Sequence, residues 1–410
     1  MTTPARSDLR EITHADVYIN NHLAGSMVRR TDDSISFDYV DNERVTEARV
    51  RDQSVSWSLL RTGDHDPVIT TGGAVAPFFA GLLPEGVRLG VVMSSTKTSA
   101  DDHLTLLLAI GADTIGNIRV LPAGVQPTEQ LPMFQPQRDN DFHAVYKKLT
   151  GSVDADPVGL AGVQPKVSAA TWSTPTQTTS GPAILKLNPV DYPLIIENEH
   201  FFMGMAAACG LRVATTSLIH DATGHSALLV TRFDRDGSNR IAQEDACQIA
   251  GVYPASKYRI KTETAITVLA DACGRGGGSR AIAVLELLKV VVFSWIIGNG
   301  DLHGKNLSIY NPGGVWQPTP AYDLLSTQPY KAWKDPMALN FYGRANRLTR
   351  TNFVDAATRL GLRERATAGM IDEIIEAAQS WPDRCQEIGF DDRRTELLAE
   401  MLRTRIKSLE

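Results

Sequence analysis

Alternation of apolar and polar positions dominates the start of the chain. ADVYINNHLAG alternates, turns at Asn20-Asn21 and breaks again at Gly25, and SISFDYV and SVSWSLL repeat the pattern, so residues 15–60 read as strands. Helical spacing follows in PFFAGLLPEGVR (77–88) and DDHLTLLLAIGA (101–112), the second with Asp101 or Asp102 as N-cap. IGNIRVLPAG returns to strand. Residues 1–125 therefore read as a β-rich N-terminal subdomain, and GVQPTEQLPMFQPQRDN (124–140), with three prolines and little pattern, as a linker.

A second mixed unit is expected over 126–235. A helix spans 141–150, TPTQTTSGP is a polar turn, and AILKLNP is a short buried strand. NEHFFMGMAAACG reads as a helix capped by Asn198 and stopped by Gly210. VATTSLI and HSALLVTRFDR are strands. From 236 to 410 the pattern turns mostly helical: RGGGS (275–279) is a turn before a helix over 280–297, and 351–380 and 391–409 are amphipathic. No internal repeat is visible.

Composition narrows the class. The 410 residues carry 43% hydrophobic and 21% charged residues, as in soluble globular proteins. A net charge of −6 with no Lys/Arg run disfavours direct nucleic-acid binding. Cys209, Cys247, Cys273 and Cys385 form no CxxC pair, so neither a zinc site nor a disulfide framework is expected. The N-terminus lacks an apolar secretory core, and the charge-free run Val290–Ile297 is far too short to span a membrane. A cytoplasmic location is the expectation.

GNGDLHGKNLSIY (298–310) interrupts this apolar background, packing Asp301, His303, Lys305 and Asn306 between a buried helix and a strand. Asp-x₄-Asn is the spacing by which a kinase catalytic loop places a carboxylate for the attacking hydroxyl and an oxygen ligand for Mg²⁺. Alone it reads equally as a solvated turn. Asp323 in TPAYDLLST is a carboxylate among apolar neighbours, which suits a metal ligand or a turn cap. Lys186 in AILKLNP sits mid-strand, where a lysine either snorkels or meets a buried anion, and Glu199 on the next helix is its candidate partner. Thr231, Arg232 and Phe233 fall where strands give way to helices and could offer backbone groups to an adenine. GLAGVQPK (159–166) has two glycines and then Lys166, a weak phosphate-loop pattern. The order of these parts is that of a kinase.

LAGVQPK, ILKL, TRFDR, QED-x-CQ, GNGDLHGKN and YDLLS closely resemble HipA, the serine/threonine kinase toxin family of type II toxin–antitoxin modules. FFAGLLPEG and AIGADTIGNIRV resemble its N-terminal subdomain, so the likeness runs from about residue 15 to beyond 330. It implies an α+β, protein-kinase-like (HipA-type) two-lobed fold with an N-terminal β-rich subdomain and a mostly helical C-terminal lobe. It also implies ATP and Mg²⁺ as cofactors.

By the same resemblance, Asp301 is the catalytic base, and Asn306 and Asp323 hold the metal. Ala161, Gly162, Val163, Gln164 and Lys166 cover the phosphates, and Lys186 grips them, with Glu199 as its possible partner. Thr231, Arg232 and Phe233 form the hinge, and His303, Lys305 and Tyr322 line the site. The implied partners are a protein substrate with a Ser/Thr hydroxyl, an aminoacyl-tRNA synthetase among the target class, and a HipB-like helix-turn-helix antitoxin that carries the DNA contact. One position departs from the pattern: Gly159 stands where the family commonly has an autophosphorylated serine, with Ser152 and Ser168 as nearby substitutes. A small-molecule or lipid kinase on this scaffold, or a catalytically weak repressor subunit, are the competing readings.

Overall fold

The computed structural model describes residues 6–40, 53–61, 66–129, 141–150, 171–189 and 191–410. The first sheet joins β1 (His14–Ile19), β2 (His22–Arg29), β3 (Ile35–Tyr39), β4 (Val68–Thr70) and β5 (Ile118–Pro122) in the antiparallel order β4-β3-β2-β1-β5. Asn20, at φ +55°, makes the expected turn between β1 and β2. Gly25 does not break the chain but lies within β2, because a Cβ there would meet Asp38 O at 2.5 Å and the Phe37 ring at 2.7 Å. SVSWSLL is not a strand either. It is a turn with one bridge, Ser56 to Leu59, held by hydrogen bonds to another part of the chain.

Helices α1 (Pro77–Gly81) and α3 (His103–Ile110) cover this sheet, with Val17, Met27, Phe37, Phe79, Leu104 and Val120 filling the space between, while α2 (Gly86–Thr96) turns Val87 and Val91 towards the core of the second sheet. The single helix expected over 77–88 is two helices. Pro84 has no N–H to continue the first, and Gly86 takes φ +53° at the start of the second. Asp102 caps α3, its side chain accepting from Thr105 N–H.

The second sheet has β6 (Trp172–Thr178), β7 (Gly181–Leu187), β8 (Thr216–His220) and β9 (Ser226–Thr231) in the order β6-β7-β9-β8, with α4 (Phe142–Thr150) against one face and α5 (Ile195–Ala208) against the other elements of the core. Much of the expected polar turn over 174–182 is therefore strand. Its threonines favour extended backbone, and Pro175 is tolerated because β6 is an edge. Helix α5 starts three residues before Asn198, behind Leu194 at φ +63°. Asn198 is not a cap. It is fully buried and its amide bridges the backbone of Ser326, donating to its O and accepting from its N, both at 2.9 Å.

A small hairpin, β10 (Arg235–Asp236) and β11 (Asn239–Arg240), leads to β12 (Gln243–Asp245), α6 (Ala246–Ile249), α7 (Thr262–Arg275) and α8 (Arg280–Ile297). Strands β13 (Ser308–Tyr310) and β14 (Gln317–Pro318) pair with β12 in the order β12-β13-β14. Helices α9 (Arg350–Arg359), α10 (Glu364–Ala378) and α11 (Asp392–Lys407) complete the lobe. Helix α8 is its axis: Val291, Val292, Phe293, Ile296 and Ile297 are fully buried, and Gly298 in the left-handed conformation ends it. No helix among the described residues is long and apolar enough to cross a membrane.

The N-terminal unit is fastened to the rest by buried polar contacts. Glu244 on β12 accepts from Ser56 Oγ at 2.5 Å and Trp57 N–H at 3.0 Å. Asp113, between α3 and β5, accepts from Arg232, Arg235 and Arg240 at 2.8–2.9 Å. Asp234 neutralises Arg232 and Arg235 from the other side. Burial works against the Asp113 charge, but Arg232, Arg235 and Arg240 outweigh it and bring the carboxyl down to about 2. Asp113→Asn should destabilise the chain at neutral pH by about 1–2 kcal/mol, read by urea unfolding, because the arginines stay buried while solvent screening of the carboxylate and the remaining Asp234 pair reduce the loss. Since the folded value lies below the ordinary one near 4, this stabilisation is complete above about pH 4 and lost as pH falls towards 2. The gap between variant and wild type should close over that interval.

Candidate functional site

A cleft of about 360 Å³ opens between the second sheet and the helical lobe, with the loop after α1 as a third wall. Lys186 projects from the middle of β7 and is nine-tenths buried. Its Nζ donates to both Glu199 oxygens, at 2.7 and 2.9 Å, and to Asp323. Burial opposes the ammonium charge, yet Asp323 and Glu199 together hold its pKa above the ordinary lysine value. Glu199 shows the opposite balance: burial pushes its carboxyl up to about 7 against the pull of Lys186. One wall of the cleft thus carries a buried cation shared by two carboxylates.

Asp323 follows directly on Tyr322 and takes φ +55°, an uncommon conformation for a residue with a side chain. Tyr322 anchors that turn: its hydroxyl donates to Lys305 O at 2.8 Å and meets Ser308 Oγ.

The loop after α8 supplies the opposite wall through His303, Lys305 and Asn306, with Asp301 buried behind them rather than lining the cleft. Asp301 is 1% exposed, receives Tyr258 OH on Oδ1 at 2.7 Å, and has its N–H bound by Asn299 Oδ1 at 2.9 Å. Asn306 donates Nδ2 to Asp301 O at 3.0 Å, so the two residues are locked within one turn while Asn306 lines the cleft. Burial drives His303 down to about 3, leaving the ring neutral. Lys305 does not extend freely into the cleft. Its Nζ lies 3.0 Å from both Gly81 O and Glu85 Oε1.

Thr231, Arg232 and Phe233 also line the cleft. The N–H groups of Thr231 and Arg232 are spent on Thr215 O and Pro182 O, and the Arg232 side chain is committed to Asp113 and Asp234. Ala161, Gly162, Val163, Gln164 and Lys166 lie outside the described residues, as do Gly159, Ser152 and Ser168.

Sequence reasoning missed three contributors. Glu85 enters from the N-terminal unit, paired with Lys257 and Lys305; burial alone would raise its carboxyl, but the two lysines bring it to about 2. Its signal was the Pro84–Glu85–Gly86 helix break. Asp245, the N-cap of α6, is buried against the cleft and pushed up to about 6. Tyr258 carried no motif.

Two substitutions test the charge balance here. Lys186→Met leaves Glu199 and Asp323 facing each other without a cation, and should cost about 3–5 kcal/mol in urea unfolding. Glu199→Gln keeps one anion on Lys186 and relieves a buried charge, so it should cost clearly less.

The arrangement matches known proteins over most of its length. Residues 158–381 match the family model described as the HipA-like C-terminal domain, and residues 15–121 match the HipA N-terminal domain. Y4mE of Sinorhizobium fredii, provisionally named a kinase, is 30% identical over 81% of this chain and 84% of its own length. The serine/threonine-protein kinase toxin HipA of Shewanella oneidensis is 29% identical over 66% of this chain and 67% of its own. The structure of the Shewanella oneidensis HipA, HipB and operator DNA complex superposes with a TM-score of 0.74 at 21% identity, covering 96% of this chain and 97% of the other. The expected HipA-type fold is therefore the observed one.

Proposed function

We propose that this chain, which belongs to the HipA family, is an ATP-dependent serine/threonine protein kinase and the toxin of a type II toxin–antitoxin module. The observation that carries the reading is the convergence of Lys186, Glu199, Asp323 and Asn306 on one cleft beside Asp301. ATP fits the cleft with its phosphates towards Lys186. Its adenine lies against the 231–233 stretch, where recognition falls to Phe233 and to carbonyl groups, since two of the N–H groups are taken. Asp323 and the amide oxygen of Asn306 are hard oxygen donors suited to Mg²⁺. Bound there, the ion would neutralise phosphate charge.

Asp301 accepts the proton of the attacking hydroxyl and fixes its direction. Lys186 holds the phosphates in line. Catalysis in this scheme is positioning and electrostatics rather than covalent chemistry. The substrate is a host protein, with an aminoacyl-tRNA synthetase as one candidate class. A HipB-like antitoxin holds the toxin and makes the DNA contact, which accords with the net charge of −6 on this chain. The antitoxin and its DNA contact follow the HipA, HipB and operator complex, the synthetase class follows the family resemblance alone, and the location that suits them is the cytoplasm.

Asp301→Asn should lower phosphoryl transfer by about 100- to 10,000-fold while leaving ATP affinity near wild type, measured with γ-labelled ATP. Wild-type transfer in that variant refutes the assignment. Label that enters only small molecules of a lysate, never protein, favours a small-molecule kinase instead. Growth arrest on expression, lost with the same substitution, separates a toxin from a weakly catalytic repressor subunit.

A further inference from the structure

Two consecutive residues, Lys257 and Tyr258, grip the 301–306 loop from the side of α7. The Tyr258 hydroxyl donates to Asp301 Oδ1 at 2.7 Å, and its ring meets His303 edge-on with centroids 5.1 Å apart. Lys257 O accepts from Gly304 N–H at 3.1 Å. Lys257 Nζ pairs with Glu85, which also lies 3.0 Å from Lys305. The loop has no room to shift towards α6, since a Cβ on Gly304 would sit 2.6 Å from Cys247 Sγ. Residues 301, 303, 304 and 305 are thus all held by one dipeptide and one carboxylate, and that carboxylate belongs to the N-terminal unit.

We infer that Tyr258 is a positioning residue for Asp301, anchored to the N-terminal unit through Lys257 and Glu85. The inference rests on the reading of Asp301 as the base. An aspartate carboxylate turns easily about its last torsion, where the energy wells are broad. A phenol held against the His303 ring engages Oδ1 and removes that freedom. Burial, and Asp301 beside it, hold the phenol pKa above its ordinary value, so the group stays a donor across the working pH range. His303, neutral and two positions after Asp301, supplies no cation that could do this instead.

The test compares Tyr258→Phe, Glu85→Gln and Asp301→Asn in the full chain, with γ-labelled ATP, dephosphorylated casein as acceptor, and ATP hydrolysis as a second readout. Tyr258→Phe should lower kcat by about 10- to 100-fold, with KM for ATP unchanged within about twofold and the melting temperature preserved. Added to Asp301→Asn it should cost nothing more, because it acts through the missing carboxylate. Glu85→Gln should lower kcat in the same sense but less, and it serves as the second arm if Tyr258→Phe melts early. Unchanged or raised kcat in Tyr258→Phe with an inactive Asp301→Asn overturns this inference alone. A loss confined to KM, or one that adds to Asp301→Asn, overturns it as well. An Asp301→Asn variant as active as wild type overturns the kinase reading and this inference with it.

Discussion

A lysine ammonium cannot be taken out of water without anions around it, and Lys186 has two. That requirement joins three separate parts of the chain: the middle of β7, the first turns of α5 and the turn after Tyr322. The strand fixes the height of the cation, the helix brings Glu199 beneath it, and the left-handed backbone at Asp323 turns the second carboxylate back towards it. Asn198, next to Glu199, ties the same helix to Ser326, three residues after Asp323. Neutralisation of one buried charge and satisfaction of one buried amide thus add directional contacts to the apolar core that the sheet shares with the helical lobe.

The same constraint explains how the N-terminal unit is attached. Its contacts to the rest combine apolar packing with single carboxylates that each serve several donors. Glu244 serves the Ser56–Trp57 turn, Asp113 serves three arginines, and Glu85 serves two lysines. Charged groups demand particular geometry where apolar surfaces tolerate sliding, so these contacts fix the register of one unit on the other.

Much of this was legible in the chain. The strand at 183–187, the helix at 280–297 and the polar loop after it follow from apolar periodicity and from glycine at the helix end. Lys186 and Glu199 could be paired because a lone lysine in an apolar strand needs an anion. What could not be read depends on long-range contact. Asn198 looks like a cap locally, and only its tertiary partner Ser326 makes it a buried bridge. SVSWSLL alternates like a strand, but Glu244, far along the chain, claims its backbone. Tyr258 belongs to no local pattern and Glu85 shows only as a helix break, and their roles exist only once the loop after α1 and the segment before α7 meet the 301–306 loop.

Asp113 and Glu85 come from the same unit but end on opposite walls of the cleft, Asp113 on Arg232 beside the strand-side lip and Glu85 on Lys305 in the loop below. The N-terminal unit therefore spans the cleft as a staple. Kinase-like lobes ordinarily breathe about the strand that joins them. Here, wide opening would have to pull a carboxylate away from buried arginines or from partly buried lysines, so the staple limits the aperture and ligand exchange must fit within its slack.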